Sequence, residues 1–513
     1  MKTKRIREKG AKRMNTLLNG LVKDANYTLT ENNGIAYKST LSAVYDMFAF
    51  GGAYRKRSDD DVILLFKNAF EENEELALKC LFYLRDVRGG QGERRFFRVC
   101  LRWLAREHSD ALLRNLDYIS EFGRYDDLLV LLGTPVQDTV LDFITKQLAL
   151  DIESKTPSLL AKWLASENAS SATTRHYGAI IRKHIGLSHK QYRKILSHLR
   201  EKIRIVEKLM SANRWDEIEF DKLPSKAGIK YKNAFARRDI IKAKYESFAR
   251  SKDTKVNAKT LAPYEAVAEA LKTFRTGYYW NAKLPDFMDT NRLMVNKYWD
   301  NLENYFNDAT LNALAVVDTS GSMVGSEASA PINVAISLGL YCAEKAKGPF
   351  AGHYISFASR PQLIKTEGVD FVDKVYRIYK TDLVDNTNLE AVFDLLLDTA
   401  IMNGCSQDDL PKSIVIISDM QIDSGANLYY KPNGYVKTMM EAMRDKWARR
   451  GYVLPNLIYW NVQARQNTIL DDGPNVSYVS GMSPVIFEQI MKGKTGLDLM
   501  LDKLNSERYS VIK

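Results

Sequence analysis

Hydrophobic residues recur at three- and four-residue steps through the first part of the chain. Ile63, Phe66 and Phe70 form one such stripe, and comparable stripes follow until about residue 150. This spacing places apolar side chains on one face of a helix, and short polar turns separate the successive stripes. The pattern therefore predicts stacked helical hairpins, but no strict sequence period identifies a named repeat.

The pattern changes after residue 304. Short apolar or β-branched runs now alternate with helical segments, and these runs are residues 314–317, 352–357, 412–419, 456–461 and 476–479. Such alternation predicts a doubly wound α/β sheet with helices on both faces. We therefore divide the chain into a basic, weakly ordered arm (1–38), a helical domain (39–304) and an α/β domain (305–513).

Composition indicates the cellular compartment and excludes some classes of protein. The chain has no apolar run near the roughly 20 residues that span a bilayer, and its basic amino terminus is followed by no apolar signal core. The four cysteines have no paired spacing, which predicts neither a zinc motif nor a disulfide framework. We expect a cytoplasmic protein without membrane contact.

Positive charge is concentrated before the α/β domain. The net charge is +11, yet residues 305–513 contain 20 Lys and Arg against 24 Asp and Glu. The preceding residues contain the other 54 basic and 39 acidic side chains. Charge asymmetry of this size favours a polyanionic partner such as RNA over a merely solvated helical surface.

Oxygen-bearing side chains follow two of the predicted strands. Asp318, Ser320 and Ser322 form an Asp-x-Ser-x-Ser loop after the first strand, and Asp419 ends the strand at residues 412–419. Thr387 precedes a helix. Asp-x-Ser-x-Ser alone is typical of a helix-capping turn, whereas the full set at strand ends predicts one divalent cation. Oxygen ligands favour Mg²⁺, Mn²⁺ or Ca²⁺ and argue against zinc.

Basic turns and helices before residue 304 supply candidate RNA contacts. Gly-rich turns with Arg can bind phosphate, although helix C-caps with solvated charges have the same composition. Tyr231 and Phe235 lie among cations and suit either base stacking or a core stripe. The predicted RNA-binding residues are Arg85, Arg88, Arg94, Arg95, Arg124, His189, Lys190, Arg193, Lys194, Lys230, Lys232, Arg237 and Arg238.

The five oxygen ligands resemble the metal-ion-dependent adhesion site (MIDAS) of von Willebrand factor A domains. The whole chain resembles the Ro (TROVE-module) ribonucleoproteins, and most closely a relative of that family found in phages, bacteria and plants. The segments that carry this resemblance are residues 85–95, 122–128, 163–171, 215–225, 234–239, 318–323 and 459–461. Residues 186–190 are also similar to a Ro segment near its RNA-binding surface.

The resemblance implies a HEAT-like helical ring or horseshoe followed by a Rossmann-like von Willebrand A domain. It further implies binding of small structured or misfolded RNA, and a metal site that an acidic residue of a protein partner completes. An aromatic segment from Tyr278 to Trp299 is placed to pack the two domains together.

Three functions remain open on the sequence. The first is a non-enzymatic RNA-binding protein, and the second is a metal-dependent protein-interaction scaffold without RNA. A metal-dependent hydrolase is disfavoured, because the site offers two carboxylates and no evident general base. No catalytic residue is predicted.

Overall fold

The computed structural model describes residues 25–29, 35–274, 283–306, 310, 312–357, 360–380, 387–422, 429–430 and 436–513. Within these residues the first part of the chain is mostly helical. Its helices are α1 (Ala43–Phe50), α2 (Asp59–Glu72), α3 (Glu74–Arg85), α4 (Arg94–Glu107), α5 (Ser109–Arg114), α6 (Leu116–Phe122), α7 (Gln137–Glu153), α8 (Leu160–Trp163), α9 (Ala172–Ile185), α10 (His189–Lys202), α11 (Val206–Ser211), α12 (Ser225–Arg237), α13 (Asp239–Arg250), α14 (Pro263–Phe274) and α15 (Thr290–Asp300).

Local sequence signals define where these helices begin. Ser58 and Asp61 form a capping box that binds the first backbone N–H groups of α2. Asn73 accepts from Leu76 N and so separates α2 from α3. Phe66 and Phe70 of the predicted stripe are buried in α2, which confirms that the hydrophobic period marks the face packed against the core.

Residues before α1 differ from the prediction. The sequence predicted a weakly ordered arm to residue 38, whereas β1 (Tyr27–Leu29) and β2 (Ile35–Tyr37) form an antiparallel pair. Tyr37 is buried and exchanges backbone hydrogen bonds with Ile469, far along the chain. That long-range pairing leaves no local sequence pattern, which explains why the sequence did not predict these two strands. Residues 1–24 of the predicted arm lie outside the described residues.

The second part of the chain is an α/β domain built on a six-stranded sheet. Its strands are β3 (Ala313–Asp318), β4 (His353–Phe357), β5 (Leu363–Lys365), β6 (Ser413–Ser418), β9 (Asn456–Asn461) and β10 (Val476–Ser480), and a separate pair comprises β7 (Tyr429–Tyr430) and β8 (Val436–Lys437). Its helices are α16 (Pro331–Lys345), α17 (Phe371–Lys380), α18 (Leu389–Met402), α19 (Met439–Arg449), α20 (Phe487–Met491) and α21 (Gly496–Leu504).

The strand order is β10-β9-β6-β3-β4-β5. All neighbours are parallel except β5, which runs antiparallel at one edge. The chain passes from β3 through α16 toward the β5 edge, and from β6 through α19 toward the β10 edge. Right-handed crossovers in opposite directions put these helices on opposite faces of the sheet, as expected of the predicted doubly wound arrangement.

The helical domain contacts the α/β domain at both of its ends. At the amino-terminal end, α1 packs against β10 and α21, and α3 also contacts α21. Gly52 donates its N–H to Ser480 Oγ at 3.0 Å, and a Cβ at Gly52 would lie 2.8 Å from the Ser480 backbone. At the other end, α14 contacts α16, and both α14 and α15 contact α17. These two contacts close the helical domain against the α/β domain. No helix among the described residues is long and apolar enough to cross a membrane.

Candidate functional site

The Asp-x-Ser-x-Ser loop follows directly on the central strand β3. Asp318 is the last residue of β3, and its Oδ1 accepts a hydrogen bond from Ser320 N at 2.9 Å. A short 3-10 turn, Gly321–Met323, then brings Ser322 Oγ to 3.1 Å from Ser320 Oγ. The loop therefore holds the first three predicted ligands together.

Asp419 lies beside Asp318 because their strands are neighbours. β3 and β6 pair in parallel with Val317 opposite Ile417, so both strands end at the same edge. Ser418 Oγ donates to Asp318 Oδ2 at 2.5 Å, and both carboxylates are buried. Burial, followed by the charge of Asp419, raises the pKa of Asp318 to about 6, against the lowering effect of its hydrogen bonds.

Thr387 joins the same cluster from the loop before α18. Its Oγ1 donates to the carbonyl oxygen of Gln421 at 3.0 Å, and Gln421 N donates to Asp419 Oδ1 at 3.2 Å. Asn388 caps α18 by accepting from Ala391 N. Hydrogen bonds and charge thus link all five predicted ligands, which lie at the carboxyl end of the sheet.

Arg465 is a further member of this cluster that the sequence did not predict. It lies in the segment between β9 and β10, and its Nε is 3.5 Å from Asp419 Oδ2. Its Nη2 donates to the carbonyl oxygen of Ser322 at 2.6 Å. One guanidinium therefore bridges the loop after β3 and the carboxylate after β6.

The donor set suits a hard cation bound by oxygen. Among the residues that the structure describes, no group of three or more His, Cys, Asp or Glu side chains is arranged to hold a metal ion. Two carboxylates and three hydroxyls remain as ligands here. Such a set fits Mg²⁺, Mn²⁺ or Ca²⁺, whose coordination shells accept neutral oxygens and water beside carboxylates.

Ion pairs hold the segment at residues 85–95 in place. Arg85 has only 2% of its side chain exposed, and its guanidinium binds Asp127 at 2.7 Å. Asp86 accepts from Arg508 Nη2 at 2.7 Å and from the Tyr509 hydroxyl at 3.0 Å, which joins this turn to the carboxyl-terminal residues. A phosphate at Arg85 would have to displace a buried carboxylate.

Two Gly-rich turns, residues 84–95 and 121–127, contain predicted RNA-binding arginines, and those other than Arg85 are more accessible. Arg88 donates to the carbonyl oxygen of Glu121 at 2.5 Å and is exposed, as is Arg94. Arg95 is half-buried and pairs with Asp59. Arg124 binds Asp126 through two hydrogen bonds of 2.9 Å and lies over the Trp163 ring, 4.1 Å from its centroid.

Helix α10 presents a basic surface. His189 begins the helix, is mostly exposed and lies 2.8 Å from Glu167 through Nδ1. Lys190, Arg193 and Lys194 are all exposed on the following turns. The predicted basic residues of α10 thus form one surface that solvent reaches.

The cations around α12 are divided between surface and interior contacts. Lys232 pairs with buried Glu269 at 2.5 Å. The exposed members are Lys230, which lies over Tyr231, Arg238, which lies over Trp215, and Arg237.

The two rings of α12 differ in burial. Phe235 is fully buried and contacts Trp215 and Phe220, so its ring belongs to the core and does not stack on a base. Tyr231 is half-buried, and its hydroxyl donates to Glu207 at 2.8 Å.

A large cavity lies between the helical domain and the α/β domain. Its volume is about 1220 Å³, and its wall includes residues from both domains. Basic side chains on the wall are Arg55, Arg88, Arg124, Lys146, Lys162, Lys226 and Lys259, and aromatic ones are Tyr125, Phe143, Trp163, Tyr264 and Tyr305. Acidic side chains are fewer, namely Glu93, Asp117, Glu121 and Glu303. The cavity thus combines positive charge with ring faces.

Residues 30–175 and 150–309 match the family described as domain of unknown function DUF2828, which together is more than half of the chain. The chain belongs to this family. Residues 312–508 match a second family, described as domain of unknown function DUF7788. The boundary between the two matches coincides with the start of the α/β domain.

Two individual proteins are similar to this DUF2828 member. Uncharacterized protein L728 of Acanthamoeba polyphaga mimivirus is 29% identical over 522 residues, covering 92% of this chain and 85% of the viral protein. The crystal structure of the RO (RSR) protein of Deinococcus radiodurans matches with a TM-score of 0.48 and 14% identity, over 89% of this chain and 100% of that one.

One sequence feature marks Arg465 in this DUF2828 protein. It is the only Lys or Arg between residues 451 and 491. A lone cation in a stretch whose other charges are all acidic suggests a specific acidic partner, but only the fold shows that this partner is Asp419.

Proposed function

We propose that this protein binds RNA in the cavity between its two domains and catalyses no reaction. The observation that carries the proposal is the basic, aromatic wall of the 1220 Å³ cavity, in particular the Trp163 ring beneath Arg124. Single-stranded RNA is bound by this combination, because bases stack on rings while cations contact phosphates. The excess of 54 basic over 39 acidic residues before residue 305 acts in the same direction.

The α/β domain is, in this proposal, a von Willebrand factor A-type domain with one divalent cation. Two features support it: the parallel sheet with a single antiparallel edge strand, and the five oxygen donors at its carboxyl end. Asp318, Ser320, Ser322, Thr387 and Asp419 would hold the ion. When bound, the ion would offer a coordination position to an oxygen ligand such as the carboxylate of a partner protein.

A second candidate function is metal-dependent protein binding without RNA. The placement of the candidate ligands at the sheet edge, where such domains present ligands to partners, favours it. Hydrolysis has less support, because two-metal chemistry requires more carboxylates than the two at this site. We therefore propose binding functions for both sites.

RNA binding is tested with the full-length protein and a fluorescent single-stranded oligonucleotide. We expect saturable binding that weakens steeply between 50 and 200 mM salt, because each phosphate contact releases counterions. A duplex of the same length serves as the control and should compete poorly. Absence of binding at low salt would exclude the RNA function and leave the protein-interaction alternative.

Metal binding is tested by calorimetric titration of EDTA-treated protein with Mn²⁺. We expect one site in the wild type and none in Asp318→Ala. Asp398→Ala is the matched control, because it removes an exposed carboxylate of α18 away from the sheet edge. Wild-type binding by Asp318→Ala would show that the ion is held elsewhere.

A further inference from the structure

Arg465 places a positive charge beside two buried carboxylates. Its Nε lies 3.5 Å from Asp419 Oδ2, and its Nη2 donates to Ser322 O at 2.6 Å. Asp419 has no exposed side-chain surface, whereas 40% of the Arg465 side chain is exposed. The partly exposed guanidinium therefore lies beside the fully buried carboxylate of Asp419.

The backbone of Arg465 is held by the helical domain. Arg57 Nη1 donates to the carbonyl oxygen of Arg465 at 2.6 Å, and Ala464 N donates to Ala53 O at 3.0 Å. Arg57 is itself fixed by Asp61, with 3.0 Å between Nε and Oδ2. These bonds fix the backbone at residues 464–465 and leave the long side chain of Arg465 its own rotational freedom.

We propose that Arg465 is an internal competitor for the divalent cation. In the metal-free protein its guanidinium compensates the charge of Asp419. When the cation binds, the side chain turns into solvent and the carboxylate becomes a ligand. The helical domain sets the strength of this competition, because Arg57 positions the Arg465 backbone. This inference rests on the metal site proposed above.

Charge and geometry both require the exchange. An arginine remains protonated at any ordinary pH, so its charge is always present. A guanidinium and a divalent cation repel each other, so it is unfavourable for both to lie close to Asp419 Oδ2, from which Arg465 Nε is 3.5 Å away. Two adjacent buried carboxylates are costly inside a protein, and a positive charge beside them reduces that cost. Arg465 thus supplies a positive charge to the carboxylates when no cation is bound.

Mn²⁺ titration of the EDTA-treated full-length protein tests this inference. We expect Arg465→Ala to bind Mn²⁺ about fivefold more tightly than the wild type, the scale of a partly exposed ion pair. Arg465→Lys should lie between them, because an ammonium keeps the charge but lacks the fork that bridges Asp419 and Ser322. Arg57→Ala should tighten binding by a smaller factor.

The matched control is Arg450→Ala, which removes an exposed cation at the end of α19 and should leave the affinity unchanged. A second readout is thermal unfolding. Without metal, Arg465→Ala should have a lower melting temperature than the wild type. Added Mn²⁺ should raise the melting temperature of Arg465→Ala by more than it raises that of the wild type.

Two results would overturn the inference, and they are distinguishable. Equal or weaker Mn²⁺ binding by Arg465→Ala, with binding still lost in Asp318→Ala, rejects the competition and retains the metal site. Absence of Mn²⁺ binding in both the wild type and Arg465→Ala rejects the metal site and the competition together. Binding that appears only in Arg465→Ala supports the inference strongly. If Asp318→Ala does not fold, Thr387→Val replaces it as the variant that loses a ligand.

Discussion

The indole of Trp299 stacks on the ring of Phe371, with 4.0 Å between centroids and 11° between the ring planes. Trp299 belongs to α15, the last helix before the α/β domain, and Phe371 begins α17. The indole Nε1 also donates to Glu344 at 2.8 Å. The predicted aromatic contact between the domains is therefore present at Trp299, whereas Tyr278, Tyr279 and Trp280 lie outside the described residues.

Trp299→Ala should destabilise the protein by about 3–5 kcal/mol, because it leaves a cavity at a fully buried position and removes one of the partners of Glu344. Trp299→Phe keeps the stacked ring, loses the hydrogen bond and should cost about 1–2 kcal/mol. Urea unfolding of both variants measures the difference. Equal stability of Trp299→Ala and the wild type would show that this contact does not hold the domains together.

Arg85 and Arg94 are close in sequence yet should respond differently to substitution. Arg85→Ala removes one partner of buried Asp127, so we expect a loss of about 3 kcal/mol, reduced somewhat because Arg98 also binds Asp127. Arg94 is exposed, and Arg94→Ala should change stability by less than about 0.5 kcal/mol. Denaturant unfolding checks both values. If Arg85→Ala were as stable as the wild type but bound RNA more weakly, Arg85 would contact RNA directly.

The sequence was sufficient to place Asp318 and Asp419 together. Each ends a recognisable apolar strand, and the carboxyl ends of neighbouring parallel strands meet at one edge of a sheet. No comparable rule places Arg465, because it lies in an irregular segment whose course depends on backbone contacts with residues 53–57.

The sequence also could not predict which charged and aromatic residues are buried. Arg85 follows the same Gly-Arg pattern as exposed Arg88, and only its pairing with Asp127, 42 residues away, makes it structural. Phe235 fits a core stripe and a base-stacking pattern equally well until its neighbours in space are known. Contacts between residues far apart in the chain determine whether such a side chain is buried, and the local hydrophobic period does not reveal these contacts.

The metal-free protein should lose stability as pH rises through 6. Asp318 has a pKa of about 6 in the folded protein, against 3.8 as the ordinary value. A raised carboxyl pKa stabilises the fold fully below about pH 3.8, and that contribution disappears as pH rises through about 6. For a shift of about two pKa units, the free energy of unfolding should fall by about 3 kcal/mol across this pH range.

Asp318→Asn removes this titration and provides the test. Urea unfolding in EDTA between pH 4 and pH 7 should show the variant gaining stability relative to the wild type as pH increases. Asp398→Asn, on the exposed face of α18, is the control and should follow the wild type. Parallel curves for Asp318→Asn and the wild type would contradict the assignment of the raised pKa to Asp318.

The cavity and the surface of α10 are competing locations for RNA, and matched variants separate them. Lys146, Lys162 and Lys259 line the cavity, whereas Lys190, Arg193 and Lys194 lie exposed on α10. Replacing either trio with alanine removes three positive charges, so any general effect of net charge is the same. We expect the cavity variant to lose more affinity for single-stranded RNA, because its cations line the same cavity as the ring of Trp163.

The salt dependence of binding gives the sharper measurement. Loss of three phosphate contacts on a single strand should reduce the slope of log K against log salt by about 2. The cavity variant should show this reduction, while the α10 variant should keep a slope near that of the wild type. The opposite result would place the RNA across α10. Equal reductions of the slope in the two variants would mean that one RNA chain contacts both the cavity and α10. The binding site would then extend beyond the cavity.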